Sequence, residues 1–273
     1  MTEKILILAD EFEDETENFR QHFEELEKKS LADTGIYSGK KPEVYIEDEK
    51  IGSEHILYIN PRPEAFNYTR VLTETLTQTQ ASANLDPSSI FILMKKPYMI
   101  KVLTEKNVPS PIQASISNKR GLTGLEKDIE DPFLLKKYSE FELDYVEKLD
   151  SFEEIKGLDD LDQEKEFVII QEIPEGDFFD VLYIDGEKIS LKLENNIWND
   201  EEISRQYHSL SDTQKEVVDD AAKAVGTKIC KIRLKGEKVM DMDVRPELKM
   251  FEKQSGKNVY GRIAEALKNG DDE

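Results

Sequence analysis

The stretch from Phe167 to Ile263 constrains the fold more than any other part of the chain. Phe167-Val168-Ile169-Ile170 reads as an apolar strand that runs into Gln171-Glu172-Ile173-Pro174-Glu175-Gly176-Asp177, where proline and glycine break it. Far downstream comes Asp241-Met242-Asp243-Val244-Arg245-Pro246, and then Gly256-Lys257-Asn258-Val259-Tyr260. Alternate residues of a strand share a face, so Asp241 and Asp243 point the same way and can offer hard oxygens to one divalent ion. A strand ending in a hinge, followed much later by a strand with paired carboxylates, suits a nucleotide and its magnesium. The competing reading is an exposed strand face in a protein with acids everywhere. Arg245, placed two residues further along the same face, is a candidate for holding a phosphate or carboxylate bidentately.

The intervening residues carry strong strand and helix signals. Phe179–Ile184 and Lys188–Leu193 flank Asp185-Gly186, a favoured hairpin dipeptide. Ser211-Asp212-Thr213 caps a helix through Val217, Val218, Ala221 and Ala224 to a stop at Gly226. Ile229–Leu234 and Val239–Val244 form a second hairpin around Lys235-Gly236-Glu237, and Gly261–Leu267 reads as a terminal helix before a frayed Asn269–Glu273 tail. Cys230 falls within an apolar pattern and reads as a buried thiol.

Upstream, the pattern changes to alternating strands and helices. Ile5–Ala9 is a strand, followed by an acidic helix with Phe19, Phe23 and Leu26 at helical spacing. Short strands are predicted near Val44–Ile46 and Ile56–Ile59, and a helix over Tyr68–Gln80 with Val71, Leu72 and Leu76 on its apolar face. Asn84–Ser89 reads as a turn with good helix-capping residues, and the chain continues through Lys95-Lys96-Pro97-Tyr98 into a helix ending at Asn107. Val108-Pro109-Ser110-Pro111 must be extended, since each proline biases its predecessor away from the helical region. A weakly patterned stretch leads to Asp131, then Pro132-Phe133-Leu134-Leu135-Lys136-Lys137 reads as a short buried strand, Asp150–Ile155 as a capped helix start and Asp159–Glu164 as a solvated loop. The expected class is α/β, turning to α+β in the C-terminal part, with an N-terminal open-sheet domain over 1–89, a central subdomain over 90–165 and a C-terminal subdomain over 166–273.

Charge narrows the partners. A formal net charge of −22 over 273 residues disfavours nucleic acid and anionic membranes. No run approaches the roughly 20 apolar residues that span a bilayer. The N-terminal Met1-Thr2-Glu3-Lys4 with its short apolar run reads as the start of the fold and not as a secretory signal, and one cysteine fits a reducing compartment, so a cytoplasmic protein is expected. Acids spread over the whole chain suit a potassium-rich, saline cytoplasm, where molar salt shortens the Debye length to about 3 Å. The excess of lysine over arginine points instead to an ordinary acidic surface, and both readings stand.

With these residues in place, the order of elements resembles the ATP-grasp superfamily, in particular carboxylate–amine ligases of the RimK-like and glutathione-synthetase-like group. The resemblance covers nearly the whole chain and rests on order and spacing, as no single motif is specific. It implies a pre-ATP-grasp N-terminal domain, with ATP and Mg²⁺ as cofactors. Lys96, leading a helix into Leu103–Pro111, and Lys136, ending an apolar strand, would hold phosphate oxygens. For Lys136 the alternative is a snorkelling strand end, and for Lys96 a surface lysine or a role taken by Lys95. Gln171, Glu172 and Ile173 resemble the hinge whose backbone binds adenine, and Asp177 is a candidate for the ribose hydroxyls or an ordinary turn residue. Asp241 and Asp243 occupy the place of the "Glu-x-Asn" metal pair. Lys192 stands nearest to the arginine of the hairpin strand and, with Arg245, is a candidate for binding substrate. Asn258, after Gly256, lies in a stretch that resembles the family's C-terminal "Thr-Gly-x-Asn" turn, where its role would be structural.

The departures identify a divergent member. Where the family closes a glycine-rich loop over the phosphates, this chain has Tyr138-Ser139-Glu140-Phe141-Glu142-Leu143. Where the family has its first metal-binding aspartate, this chain has Arg233. The resemblance implies an ATP-dependent ligase that joins an amine, such as an amino acid, to a small-molecule or peptide carboxylate through an acyl phosphate. The alternative is a catalytically inactive relative that binds a nucleotide, peptide or protein partner. Whether copies associate as a homo-oligomer is left open. His22, His55 and His208 lack metal-ligand spacing, and Trp198 reads as a packing aromatic.

Overall fold

The computed structural model describes residues 4–9, 13–61, 65–117, 121, 124–139, 142–157, 167–194 and 203–269. The segments holding the acidic run 159–164, Trp198, Glu140, Phe141 and the last four residues lie outside them.

The N-terminal part is built on β1 (Lys4–Leu8), β2 (Glu25–Lys29), β6 (His55–Ile59) and β7 (Ser82–Ala83), a parallel sheet in the order β2-β1-β6-β7. β1 is apolar from Ile5 to Leu8 because both its faces are covered. Leu6 and Leu8 pack into one core, and Ile5 and Ile7 into another. A small antiparallel sheet, β3 (Thr34–Ser38), β4 (Pro42–Ile46) and β5 (Glu49–Lys50), is inserted between β2 and β6. The helix expected to carry Phe19, Phe23 and Leu26 is shorter: α1 covers Glu13–Arg20, and Leu26 instead pairs with Ile5 in β2. The edge of β1 has backbone groups to satisfy, and that pairing overrides the helical spacing. Helix α2 (Phe66–Leu76) starts and stops before the expected range, and Val71 is 48% exposed. Thr69, Leu72, Thr73 and Leu76 make its buried face.

Helices α3 (Pro87–Met94) and α4 (Lys96–Glu105) follow as two elements, broken at Lys95 because Pro97 has no N–H to offer the Leu93 carbonyl and its ring would clash there. The central sheet has the order β10-β9-β11-β8, from β8 (Gln113–Ile116), β9 (Phe133–Ser139), β10 (Glu142–Leu149) and β11 (Phe167–Glu172), with α5 (Phe152–Gly157) on one face. β11 hydrogen-bonds to β8 and β9, so a division along the sheets puts 167–172 with the central unit.

The C-terminal sheet runs β14-β13-β12-β15-β16, from β12 (Phe178–Ile184), β13 (Glu187–Glu194), β14 (Ser204–Tyr207), β15 (Ile229–Lys235) and β16 (Lys238–Asp243). Helix α6 (Asp212–Val225) carries the Ser211 capping box and ends at Gly226 with φ 75°. Helices α7 (Leu248–Ser255) and α8 (Val259–Lys268) cover the other face. The N-terminal and C-terminal sheets share two cores, whereas the central sheet has its own around Phe133, Leu135, Phe152 and Ile170. The face of the central sheet opposite that core, carrying Lys136 and Gln171, meets β16. Among the described residues no helix is long and apolar enough to cross a membrane.

Candidate functional site

The site is built where three elements meet on β16. Lys96, at the first turn of α4, places Nζ 2.7 Å from Oδ1 of Asp241 and also donates to the backbone oxygen of Met242. Its neighbour Lys95 lies over the Phe66 and Phe91 rings, so of the two lysines it is Lys96 that enters the cleft. Lys136, from β9, donates to the Met240 carbonyl at 3.2 Å. Gln171, at the end of β11, donates through Nε2 to the same carbonyl at 3.2 Å and to Oε1 of Gln113 at 2.7 Å. Its own Oε1 is buried without a hydrogen-bond partner among the described residues. Lys96, Lys136 and Gln171 are all buried, while Asp241 keeps 23% of its side chain exposed.

The charges explain one another. Burial pulls Lys136 down to about 8; Asp241 opposes this, while Arg233 and Lys96 add to it. Burial would push Asp241 up, but Lys96, Lys136 and the hydrogen bonds from Lys96 and the Met242 amide more than reverse this and hold it below 3.8. Arg233 lies cross-strand from both Asp241 and Asp180. It takes Asp180 bidentately, Nε to Oδ1 at 2.7 Å and Nη2 to Oδ2 at 3.0 Å, with Nε of Arg205 3.7 Å from the same carboxylate. Asp180 has no exposed surface.

Along the same strand, Asp243 accepts the Arg245 amide at 2.8 Å. The strand ends at Asp243, so Arg245 does not extend its face as expected but turns back, with Nε 3.9 Å from Oδ1 of Asp243. Beside them opens a cavity of about 770 Å³ whose lining includes Asn60, Lys231, Asp243, Arg245, Glu247 and Lys253. Asn60 Oδ1 is buried there without a hydrogen-bond partner among the described residues.

The remaining candidates lie elsewhere. Glu172 accepts from Lys238 at 3.1 and 3.2 Å and from the Ile112 amide at 2.9 Å. Ile173 lines a separate cleft of about 560 Å³ with Glu130, Asp131, Lys148 and Glu175. Asp177 and Lys192 pair with each other at 2.6 Å. Lys192 sits opposite Phe179, one residue out of step with Asp180 and Arg233, and so on the other face of the sheet from Asp241. The structure therefore brings together Lys96, Lys136, Gln171 and Asp241, sets Asp243 and Arg245 beside them, and leaves Lys192 apart.

Sequence reasoning missed Asp180, Arg205, Gln113 and Asn60. For Asp180 a signal existed: one acid inside the apolar strand Phe178–Ile184 must find a cation if it is buried. Among the described residues no three of histidine, cysteine, aspartate and glutamate gather as a metal cluster. Cys230 is buried, and that burial pushes its thiol up.

No family model and no curated protein matches the sequence. Solved structures do match. An ATP-grasp ligase, PsnB, complexed with minimal precursor, Mg and ADP superposes with a TM-score of 0.72 at 16% identity, covering 97% of this chain and 96% of that one. The macrocyclase MdnC from Microcystis aeruginosa, bound with precursor peptide MdnA, gives 0.71 at 12%, covering 99% and 100%. A RimK domain protein from Sphaerobacter thermophilus gives 0.70 at 14%, covering 97% and 100%. The chain has the ATP-grasp fold, in a divergent sequence. This is a mixed α/β architecture shared with ATP-grasp ligases.

Proposed function

We propose that the protein binds a nucleoside triphosphate between the central and C-terminal sheets. With it the protein joins an amine to a carboxylate on a small molecule or peptide, as RimK-like carboxylate–amine ligases do. The convergence of Lys96 and Lys136 on β16 carries this reading. Two buried ammonium groups from different elements reach one strand, and a packed core has no need of either. ATP, as substrate, would supply the phosphoryl group that activates the carboxylate for attack by the amine. Lys96 and Lys136 would hold phosphate oxygens as point charges, and the backbone of Gln171, Glu172 and Ile173 would face the base, with Asp177 near the ribose. The cavity at Arg245 and Asn60 would orient the acceptor, Arg245 gripping a carboxylate and the Asn60 amide lying beside it. The precursor peptides in the PsnB and MdnC structures support a peptide as acceptor.

Magnesium at Asp241 and Asp243 is part of the family expectation, but the donors fit it poorly. Lys96 and the Met242 amide already occupy Oδ1 of Asp241, and the facing position on β15 is a cation, Arg233. The Arg233–Asp180 clamp favours a second reading, in which the fold holds a nucleotide or peptide without turnover.

Thermal denaturation with millimolar ATP tests the nucleotide site, since a ligand at 100 times its dissociation constant adds roughly 2.7 kcal/mol. An unchanged melting temperature sinks both readings as far as they concern nucleotides. If ATP stabilises wild type and not Lys96→Ala or Lys136→Ala, phosphate release with carboxylate and amine acceptors then separates ligase from binder.

A further inference from the structure

The neighbourhood of Asp241 inverts the charge of the rest of the molecule. In a chain of net charge −22, Lys96, Lys136, Arg233 and Arg205 gather around Asp241 and Asp180, with Lys231, Asp243 and Glu247 at the edge of the group. Arg233 and Asp180 neutralise each other through a bidentate pair, with Arg205 beside the same carboxylate. Lys96 and Lys136 are left to share Asp241, and they come from two different elements, α4 and β9. Such a group repels a free cation and attracts an oxyanion.

We propose that this site holds nucleotide phosphates with the protein's own cations and without a divalent metal. The inference rests on the nucleotide reading above and adds the source of the neutralising charge. An incoming polyphosphate replaces Asp241 as the acceptor for Lys96 and draws in Lys136, the neighbouring buried lysine that donates to the Met240 carbonyl of the same strand. Arg233 cannot swing away to admit a metal, because its guanidinium is fixed at both Nε and Nη2 by a carboxylate with no exposed surface. Its positive field therefore remains cross-strand from Asp241, where a divalent ion shared with Asp243 would have to sit.

Calorimetric titration of the whole chain with ATP, once with excess EDTA and once with excess MgCl₂, tests this directly. The expected result is binding in both buffers, with affinities differing by less than about tenfold. Binding seen only with Mg²⁺, or tightened by it more than about tenfold, overturns the proposal and leaves the nucleotide reading standing. No binding in either buffer overturns both. The double exchange Asp180→Arg with Arg233→Asp keeps an ion pair between the same two strands while placing a carboxylate opposite Asp241. Provided its melting temperature stays near wild type, its ATP binding should become Mg²⁺-dependent. If the folded exchange variant binds equally well in EDTA, the cationic cluster is not what replaces the metal. If it does not fold, the wild-type comparison decides alone.

Discussion

Arg233 grips Asp180 with two nitrogens at once, at 2.7 and 3.0 Å, across the neighbouring strands β15 and β12. Both groups share a sheet face with Asp241, and Asp180 is wholly enclosed. A buried carboxylate survives only while its partner stays, so this pair fixes the electrostatics of the cleft as well as the register of the sheet.

Removing one partner should hurt more than removing both. Arg233→Met leaves Asp180 buried with the longer Arg205 contact at 3.7 Å in place of its bidentate partner and is expected to cost about 3–5 kcal/mol, whereas Asp180→Leu with Arg233→Met should recover most of it. Urea denaturation midpoints decide the matter. Similar losses in the single and double variants would show that the pair has no coupling.

Acid should act through the same pair. Burial pushes Asp180 up, but Arg233, by charge and by hydrogen bond, with Lys231 and Arg205 adding to it, leaves the carboxyl below 3.8. A depressed folded value means that the stabilisation is complete above the unfolded value and is lost as the pH falls through the folded one. Wild type should therefore lose stability relative to the apolar double variant only below the ordinary aspartate range. A constant difference down to strong acid would contradict this.

Lys136 gives a pH dependence of the same sign in the alkaline range. Its value falls from 10.5 to about 8 on burial, so between those limits the unfolded chain holds a proton that the folded chain has released. Stability then rises with pH across the window, as the cost of burying the charged form is relieved. Compared with Lys136→Met, wild type should gain as the pH rises from about 8 toward 10.5. A gap between the two that stays flat over this range would mean that the ammonium is less buried than the packing on Met240 requires.

Much of this was legible in the sequence, for reasons that differ by element. The Asp185-Gly186 and Lys235-Gly236-Glu237 hairpins, the Ser211 cap and the Gly226 stop are local devices, and each sits where the residues indicate. β2, β14 and α7 were not legible. Leu26 is in a strand because β1 presents an open edge, and nothing in the sequence near Leu26 encodes that edge. The same limit applies to the site. Asp241 could be read from alternation on a strand, but its contact with Lys96 spans 145 residues and depends on how α4 docks on the C-terminal sheet. Lys192 illustrates the converse, since one residue of register decides which face a side chain joins.

Asn84 joins the N-terminal sheet to the helices that follow it. Its amide accepts from the Ile59 amide at 2.6 Å and donates to the Ile59 carbonyl at 3.0 Å, completing β6 where no strand does. Asn84→Ala leaves two buried backbone groups unpaired and should cost about 1–3 kcal/mol per group left unsatisfied. A melting temperature equal to wild type would mean that water replaces the amide there.

The hinge offers a test that touches function without touching a charge. Gly236 adopts φ 58°, and a Cβ there would lie 2.5 Å from the Glu175 carbonyl oxygen, while Gly176 would likewise meet Gly236. The two turns are this close because the Gly236 amide donates to Asp177 at 2.9 Å, docking the 174–177 break on the β15–β16 hairpin. Gly236→Ala must therefore push the hinge off the hairpin that carries Asp241, beyond the roughly 1–2 kcal/mol of left-handed backbone strain. Amide exchange should speed up at residues 175–177 and 236, and ATP affinity should fall although every candidate contact residue is intact. Faster exchange with unchanged affinity would place the nucleotide away from the hinge, and neither change would mean that the turn relaxes without moving it.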